Sequence, residues 1–478
     1  MIRIDKFGRA AGASARRGRA SLTRGGRARL SGLRRAPVLL TAAAVALTAA
    51  ACGGGGGSDA PDLRPTARTA SAGVGGVNGA TASPECASKV KTLTFYGVAA
   101  LSDVAKSGKA YMEKTHPGLT VQLNLTAPNY VALVQQLSAD RGAGKQTDVA
   151  VAGFDLLPTF ASQLGAQALS PDLLRSTYDQ RFLKLGQVNG KQIGIPAQVS
   201  TPVLIYNADV LAKAGVDPKT LATTDGVLAA ADKIKATAGG IQPIDLPTGE
   251  QFGQWFLSSL AASKGTPIQK SDGSPNLSSP AAIEAAQFLA KVGSYGPQSD
   301  SPTQNGLLRF GIQKQTAMVG ASVNAIAAGI RVLRDQGAKG FKIGVAPFPT
   351  LPGGAEHPTA GGNALTVLAS DKCQQEMATE LLVSLLSPDV VAASVESVSY
   401  LPVDTAAATQ LAGFYQEFPE LVQFKDLAGA LTPAPAWPGS RGGEVPQAIT
   451  EQVIRAMKGT DPATAMRNAQ TKAAELTS

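Results

Sequence analysis

Residues Gly190 to Asp209 constrain the fold more than any other stretch. They hold two β-type runs, Ile193 to Val199 and Val203 to Tyr206, with Pro196 in the first and Pro202 just before the second. Proline fixes φ and gives no N–H to a ladder, so both prolines suit edge or crossing segments and not a central strand. A segment of this kind runs out of one α/β lobe and becomes the first strand of another. Ser200 and Thr201 then lie at the boundary, facing the cleft between the lobes.

The patterns on either side agree with two lobes. Lys91 to Tyr96 is a predicted strand, followed by a helix through Tyr111 and Met112. Leu119, Val121, Leu123 and Leu125 alternate on one strand face. Asn129 caps a helix carrying Val131, Val134 and Leu137, and Asp148 to Gly153 is an apolar run of the sort buried on both faces. This β-α-β-α-β order predicts a mostly parallel, doubly wound lobe with ligands beyond the carboxyl ends of its strands. Those ends are Tyr96-Gly97, Thr126 to Tyr130, and Phe154-Asp155. Further on, Thr316 to Val319 predicts a strand, Gly320 to Ser322 a turn, and Lys342 to Ala346 a strand ending in Pro347-Phe348-Pro349. That proline pair marks a second crossing near 345–350, and Ser387-Pro388 a third near 386–390. The second lobe would be mostly helical.

Charge is partitioned along the chain. The net +9 arises because residues 1–51 carry 11 Lys/Arg against one acid, leaving 33 basic against 34 acidic residues. The folded part therefore gives no electrostatic footprint for nucleic acid. The arginines from Arg16 to Arg35, the apolar run Pro37 to Ala51 and Cys52 after three alanines read as a lipoprotein export signal, although Leu47 stands two residues too early for its usual leucine. Residues 53–85 are rich in Gly, Ser, Ala, Thr and Pro, as a flexible tether would be. Acylation is expected at Cys52, leaving Cys86 and Cys373 as a pair in an oxidising compartment. No metal-ligand spacing occurs, His116 and His357 lack a nucleophile signature, and there is no Gly-x-Ser-x-Gly. The expectation is no enzyme, no metal and no cofactor.

Arg441-Gly442-Gly443 precedes Pro446, which marks the start of a helix over Gln447 to Met457. An arginine beside free helix N–H groups suits a phosphate or carboxylate, while the local sequence alone reads more readily as a surface arginine in a loop.

Ser200-Thr-Pro-Val-Leu-Ile-Tyr-Asn207, with Lys213 to Pro218 after it, resembles the crossing segment of extracellular solute-binding proteins of ABC importers. Thr432 to Gln447 is similar to the segment carrying the phosphate-binding arginine in the glycerol-3-phosphate and glycerophosphodiester binders. The resemblance runs from about Thr92 to the end. It implies a two-lobed periplasmic-binding-protein fold (type II, Venus-flytrap) with three interlobe crossings. The implied divisions are a signal peptide at 1–51, a lipidated tether at 52–85, a first lobe at 86–199 and 347–387, and a second lobe at 200–346 and 388–478. The implied ligand residues are Tyr130, Asp155, Ser200, Ser322, Gly362, Tyr400 and Arg441, with Tyr96, Phe252 and Trp255 as an aromatic wall. Val131 stands where the family has an acid, and Asp155 is one methylene shorter than its glutamate.

The function implied is capture of glycerol-3-phosphate or a glycerophosphodiester and delivery to a membrane permease, by a lipid-anchored monomer outside the cytoplasm. A neutral sugar or oligosaccharide is the alternative, and Arg441 discriminates the two. The same topology places Cys86, before the first strand, and Cys373, after the strand leaving Gly361-Gly362, at the base of the first lobe, where a Cys86–Cys373 disulfide is expected.

Overall fold

The computed structural model describes residues 80–249, 252–299, 306–335 and 340–478. The expected export signal, Cys52 and the expected tether as far as residue 79 lie outside them.

The last expected tether residues are part of the first lobe. Ala80 and Ala82 are buried, the Ala82 N–H donates to Glu380 (2.8 Å), and Ser83 reaches Glu376 (2.7 Å) while capping α1 (Pro84–Lys89). The carboxylates of one later helix thus satisfy N–H groups that a free tether would leave to water.

Strands β1 (Thr92–Val98), β2 (Thr120–Ala127) and β3 (Val149–Gly153) follow, then a ribbon of β4 (Gln187–Val188) and β5 (Lys191–Gln192), and β6 (Ile195–Ser200). The chain next builds β7 (Pro202–Asn207), β8 (Gln242–Asp245), β9 (Thr316–Ser322) and β10 (Ile343–Pro347) before β11 (Gly361–Val367). Two main sheets result, β2-β1-β3-β11-β6 and β10-β7-β9-β8. In the first, β1 is parallel to β2 and β3, and β11 runs antiparallel between β3 and β6. The predicted doubly wound lobe is this sheet with one reversed strand inserted.

Helices α2 (Ser102–Thr115), α3 (Tyr130–Gly142) and α4 (Leu157–Ser162) belong to the first lobe. Between the crossings come α5 (Ala208–Lys213), α6 (Thr224–Thr237), α7 (Phe252–Ser263), α8 (Pro280–Gly293) and α9 (Ile326–Asp335). After β11 come α10 (Lys372–Ser384), α11 (Pro388–Val398), α12 (Thr405–Gln410), α13 (Ala412–Glu417), α14 (Val445–Met457) and α15 (Pro462–Thr477). Alternation along β7 explains how the second sheet is covered. Leu204 joins Ile244, Met318 and the helices α6, α7, α8, α14 and α15 in one core cluster. Val203 and Ile205 face the other way, toward α9 and the segment 401–431.

Ser200 pairs with Gly361 in the first sheet and Pro202 with Ser322 in the second, so Thr201 alone separates them. The other two passages come later than their prolines suggest. Phe348 and Leu351 are buried in the second lobe's core, and Thr359 N–H donates to Ser259 of α7, so the return passage falls at Thr359–Ala360. Val390 and Val391 of α11 pack beside Phe95 and Val151 of the first sheet. The third passage follows α11, where Leu401 N–H donates to the Val199 carbonyl (2.8 Å). Gly320 to Ser322 continues β9 instead of turning, because each residue finds a partner on β7.

Cys86 and Cys373 form a disulfide with Cα atoms 4.6 Å apart, joining α1 to the first turn of α10 across 287 residues of sequence. It lies at the end of the lobe away from Gly361, as the strand directions require.

Candidate functional site

Three groups from separate elements meet beyond the carboxyl end of β3. Asn129 caps α3 by accepting from Ala132 N–H (2.9 Å), which sets Tyr130 at the first helical position. Gly153 ends β3, and a Cβ placed on it would lie 3.0 Å from Asp155 Oδ1 and 3.2 Å from the Tyr130 ring. Opposite Gly153 in the ladder stands Asn363, whose Nδ2 donates to the Tyr130 phenol oxygen (2.9 Å). Tyr400, just after α11, is close enough to Tyr130 to disfavour its ionisation, and its own hydroxyl is held by Asn324.

Burial dominates the electrostatics here. It raises the Tyr130 phenol well above the ordinary value, helped by Tyr400 and Asp155, and pushes Tyr400 up to about 12. It pushes the Asp155 carboxyl up to about 6, opposed only by a hydrogen bond from that residue's own backbone. Among the described residues no cation compensates this carboxylate, and its Oδ2 is buried without a hydrogen-bond partner. A buried acceptor of this kind costs free energy until a donor arrives.

Ser200 and Trp255 border the same region at the lobe boundary. A Cβ on Gly361 would fall 2.7 Å from the Trp255 ring and 2.8 Å from Ser200 Oγ. The indole N–H donates to Thr359 O (2.8 Å), and Phe252 meets the ring edge-on at 5.1 Å. Ser322 ends β9 beside this point, half-buried, with Val323 N–H donating to Thr201 O. Gly362 has φ +114°, and any Cβ there would be 1.9 Å from Gln198 O. The β6–β11 pairing itself therefore demands glycine at this position.

Two expected residues are placed otherwise. Tyr96 is not part of the aromatic wall: it is buried within the first lobe, and its hydroxyl donates to Asp140 (3.1 Å) on α3. Arg441 is exposed and forked onto Glu444 (2.7 Å for each bond), not held free against a helix end. A short 3-10 turn, Gly442–Glu444, runs straight into α14, so Glu444 sits one turn on from Arg441. The loop still faces the first lobe, since a Cβ on Gly443 would meet Leu156 at 3.9 Å and Gln163 donates to Ser440 O (3.4 Å).

Sequence reasoning missed Asn363, Gln198 and Asn324. For Asn363 a signal existed: it shares the period-2 face of Leu365 and Val367, and an amide in an apolar row needs a partner. Among the described residues no group of His, Cys, Asp or Glu could hold a metal ion.

The model of the family described as bacterial extracellular solute-binding protein matches residues 98–392. A binding protein of Brucella abortus (strain 2308) is 28% identical over 346 residues, 69% of this chain and 79% of the relative. The sn-glycerol-3-phosphate-binding periplasmic protein UgpB of Yersinia pseudotuberculosis is 28% identical over 281 residues, 55% of this chain and 60% of that protein. Among solved structures, UgpB from Mycobacterium tuberculosis in complex with glycerophosphocholine gives a TM-score of 0.68 at 17% identity, covering 80% of this chain and 98% of that one. The cyclic alpha-maltosyl-1,6-maltose binding protein from Arthrobacter globiformis gives 0.66 at 17% identity, covering 81% and 99%. At such identities the structural likeness fixes the two-lobed binding-protein fold and nothing finer. The chain belongs to the bacterial extracellular solute-binding proteins: it is an extracytoplasmic, non-catalytic solute binder that works with an ABC-importer permease.

Proposed function

We propose that the ligand is a neutral sugar or oligosaccharide. The observation carrying this reading is Asp155: a carboxylate with a buried, unpartnered oxygen and, among the described residues, no compensating cation. It offers an acceptor to a hydroxyl and repels a phosphate. Tyr130, Tyr400, Ser200 and Ser322 supply further polar groups, and Trp255 with Phe252 gives an apolar surface for a sugar ring. The Arthrobacter globiformis neighbour, a cyclic alpha-maltosyl-1,6-maltose binding protein, takes a ligand of the same class.

Capture of glycerol-3-phosphate or a glycerophosphodiester is the second reading. It is favoured by the UgpB relatives and by the Arg441 loop facing Leu156, and it requires Arg441 to exchange Glu444 for the phosphate. In either case Tyr130, Asp155 and Gly362 contact the ligand from the first lobe, and Ser322 and Tyr400 from the second; Arg441 joins them from the second lobe in the phosphate reading alone. The protein acts as a monomer anchored through acylated Cys52.

Calorimetry of the mature domain with maltose, trehalose, glycerol-3-phosphate and glycerophosphocholine tests the assignment. Binding of a disaccharide is expected; binding confined to the two phosphate compounds would replace it with the second reading.

A further inference from the structure

The Tyr130 phenol is one end of a buried polar chain crossing the first lobe. Asn363 Nδ2 donates to the phenol oxygen and to Gln198 Oε1, each at 2.9 Å, and Gln198 Nε2 donates to Ser394 Oγ at 2.9 Å. Asn363, Gln198 and Ser394 are only 1%, 5% and 9% exposed. They lie on three elements, β11, β6 and α11, among apolar neighbours that include Phe95, Val151 and Leu365. A cavity of about 20 Å³ beside them has room for one water. Leucine or valine would fill such a space without any polar cost, so a continuous chain of amides there needs a reason beyond packing.

The route of the chain supplies the reason. The helix bearing Ser394 ends next to Ser399 and Tyr400, and Leu401 N–H donates to Val199 O, one residue from Gln198. The amides that fix Tyr130 are thus tied to the element that presents Tyr400.

We infer that Asn363 and Gln198 are positioning residues for ligand recognition. Asn363, itself held by Gln198, occupies the phenol oxygen of Tyr130 from behind, leaving its O–H to point into the cleft beside the Asp155 acceptor. The site then selects a ligand that offers an acceptor oxygen and a hydroxyl donor side by side, as a sugar diol does. This deepens the neutral-ligand reading and rests on it.

A double-mutant cycle by calorimetry tests it, with maltose and glycerophosphocholine as probes. Asn363→Ala and Tyr130→Phe should each weaken binding about tenfold, and the double variant should be no weaker than Tyr130→Phe alone. Ser394→Ala, at the far end of the chain, should cost about threefold and nothing further in the Tyr130→Phe background, which keeps the cycle readable if Asn363→Ala does not fold. Equal losses in both backgrounds would mean that the amides merely support the lobe, and would overturn the proposal. Should the wild type take glycerophosphocholine and no maltose, the ligand class falls while the same cycle, read with that probe, still decides the positioning role. A ligand-free measurement stands beside it: NMR of the Asn363 side-chain amide must shift in both Tyr130→Phe and Ser394→Ala, and unmoved resonances overturn the chain whatever the ligand.

Discussion

Replacing Asp155 by asparagine should stabilise the free protein while weakening ligand binding. Burial holds this carboxyl at about 6 against an ordinary 3.8, with no cation in compensation. The folded state therefore binds the proton more tightly than the unfolded chain does. Its destabilising contribution is full above pH 6 and fades as the pH falls from about 6 to 3.8. The difference corresponds to roughly 3 kcal/mol as an upper figure, and about 1–3 kcal/mol once the solvent reaching a half-buried side chain is allowed for. The asparagine amide carries no charge to desolvate, so urea denaturation of the variant at pH 7.5 should show that gain. Between pH 6 and pH 4 the gain should shrink, because only the wild type recovers stability as Asp155 takes up its proton. Ligand binding has the opposite sign. A sugar hydroxyl donates to the ionised form, so the bound state lowers the carboxyl's proton affinity, and wild-type affinity should fall as the pH drops below about 6. In Asp155→Asn affinity at pH 7.5 should already be about tenfold or more weaker and nearly flat with pH, because a charge-assisted bond is replaced by a neutral one. A variant no more stable than wild type at pH 7.5, or one that keeps the wild-type pH dependence of binding, would refute the electrostatic reading of the site.

Other substitutions test the remaining elements. Arg441→Ala breaks an exposed fork with Glu444, so the unfolding midpoint should not move and maltose affinity should change by less than about threefold; a large loss confined to glycerophosphocholine would favour the phosphate reading. Reducing the Cys86–Cys373 bridge releases a loop of 287 residues and should lower stability by up to about 5 kcal/mol, read by thermal denaturation, with ligand affinity nearly intact because the bridge is remote from Gly361. Gly362→Ala would place a Cβ 1.9 Å from Gln198 O. It should destabilise by about 3 kcal/mol or more in denaturant melts, and an unperturbed melt with weakened binding would instead return Gly362 to a purely ligand-contacting role.

The parts of the fold that were legible are those fixed by local chemistry. The unbroken apolar run ending at Gly153 is a strand with every residue buried, and Pro202 sits where one sheet gives way to the next. The cysteine pair followed from strand direction, since β11 runs opposite to β1 and β3. What failed depended on partners distant in sequence. Tyr96 alternates correctly for a strand, but nothing local says that its hydroxyl will find Asp140 across α3. Pro347 and Pro349 end a strand without ending a lobe, because buried Phe348 between them stays with the second core. Arg441 was the reverse case: its three-residue spacing to Glu444 is a helical ion-pair spacing in plain sight, and the fork follows from it once the turn Gly442–Glu444 forms.

The three passages between sheets, at Thr201, Thr359–Ala360 and Ser399–Tyr400, lie side by side along a hinge line, since Gly361 pairs with Ser200 and Leu401 reaches Val199. Each is tied by backbone bonds: Thr201 accepts from Val323, Ala360 donates to Thr432, and Leu401 donates to Val199. Ser399 holds a left-handed conformation (φ +54°), with its hydroxyl accepting from Ala327 N–H. At the loop preceding α14 the lobes meet through a 3.4 Å bond from Gln163 to Ser440, with Leu156 standing where it would touch a Cβ at Gly443. An exposed hydrogen bond of that length adds little to closure. The groups with free energy still to gain are those between the hinge line and that loop, and the unpartnered oxygen of Asp155 is the clearest of them. A ligand favours the closed arrangement only by what it gains there and cannot gain from one lobe alone. A hydroxyl that meets Asp155 on the first lobe while its ring rests on Trp255 of the second satisfies that condition, and it does so with a charge-assisted bond to an oxygen that has no other partner.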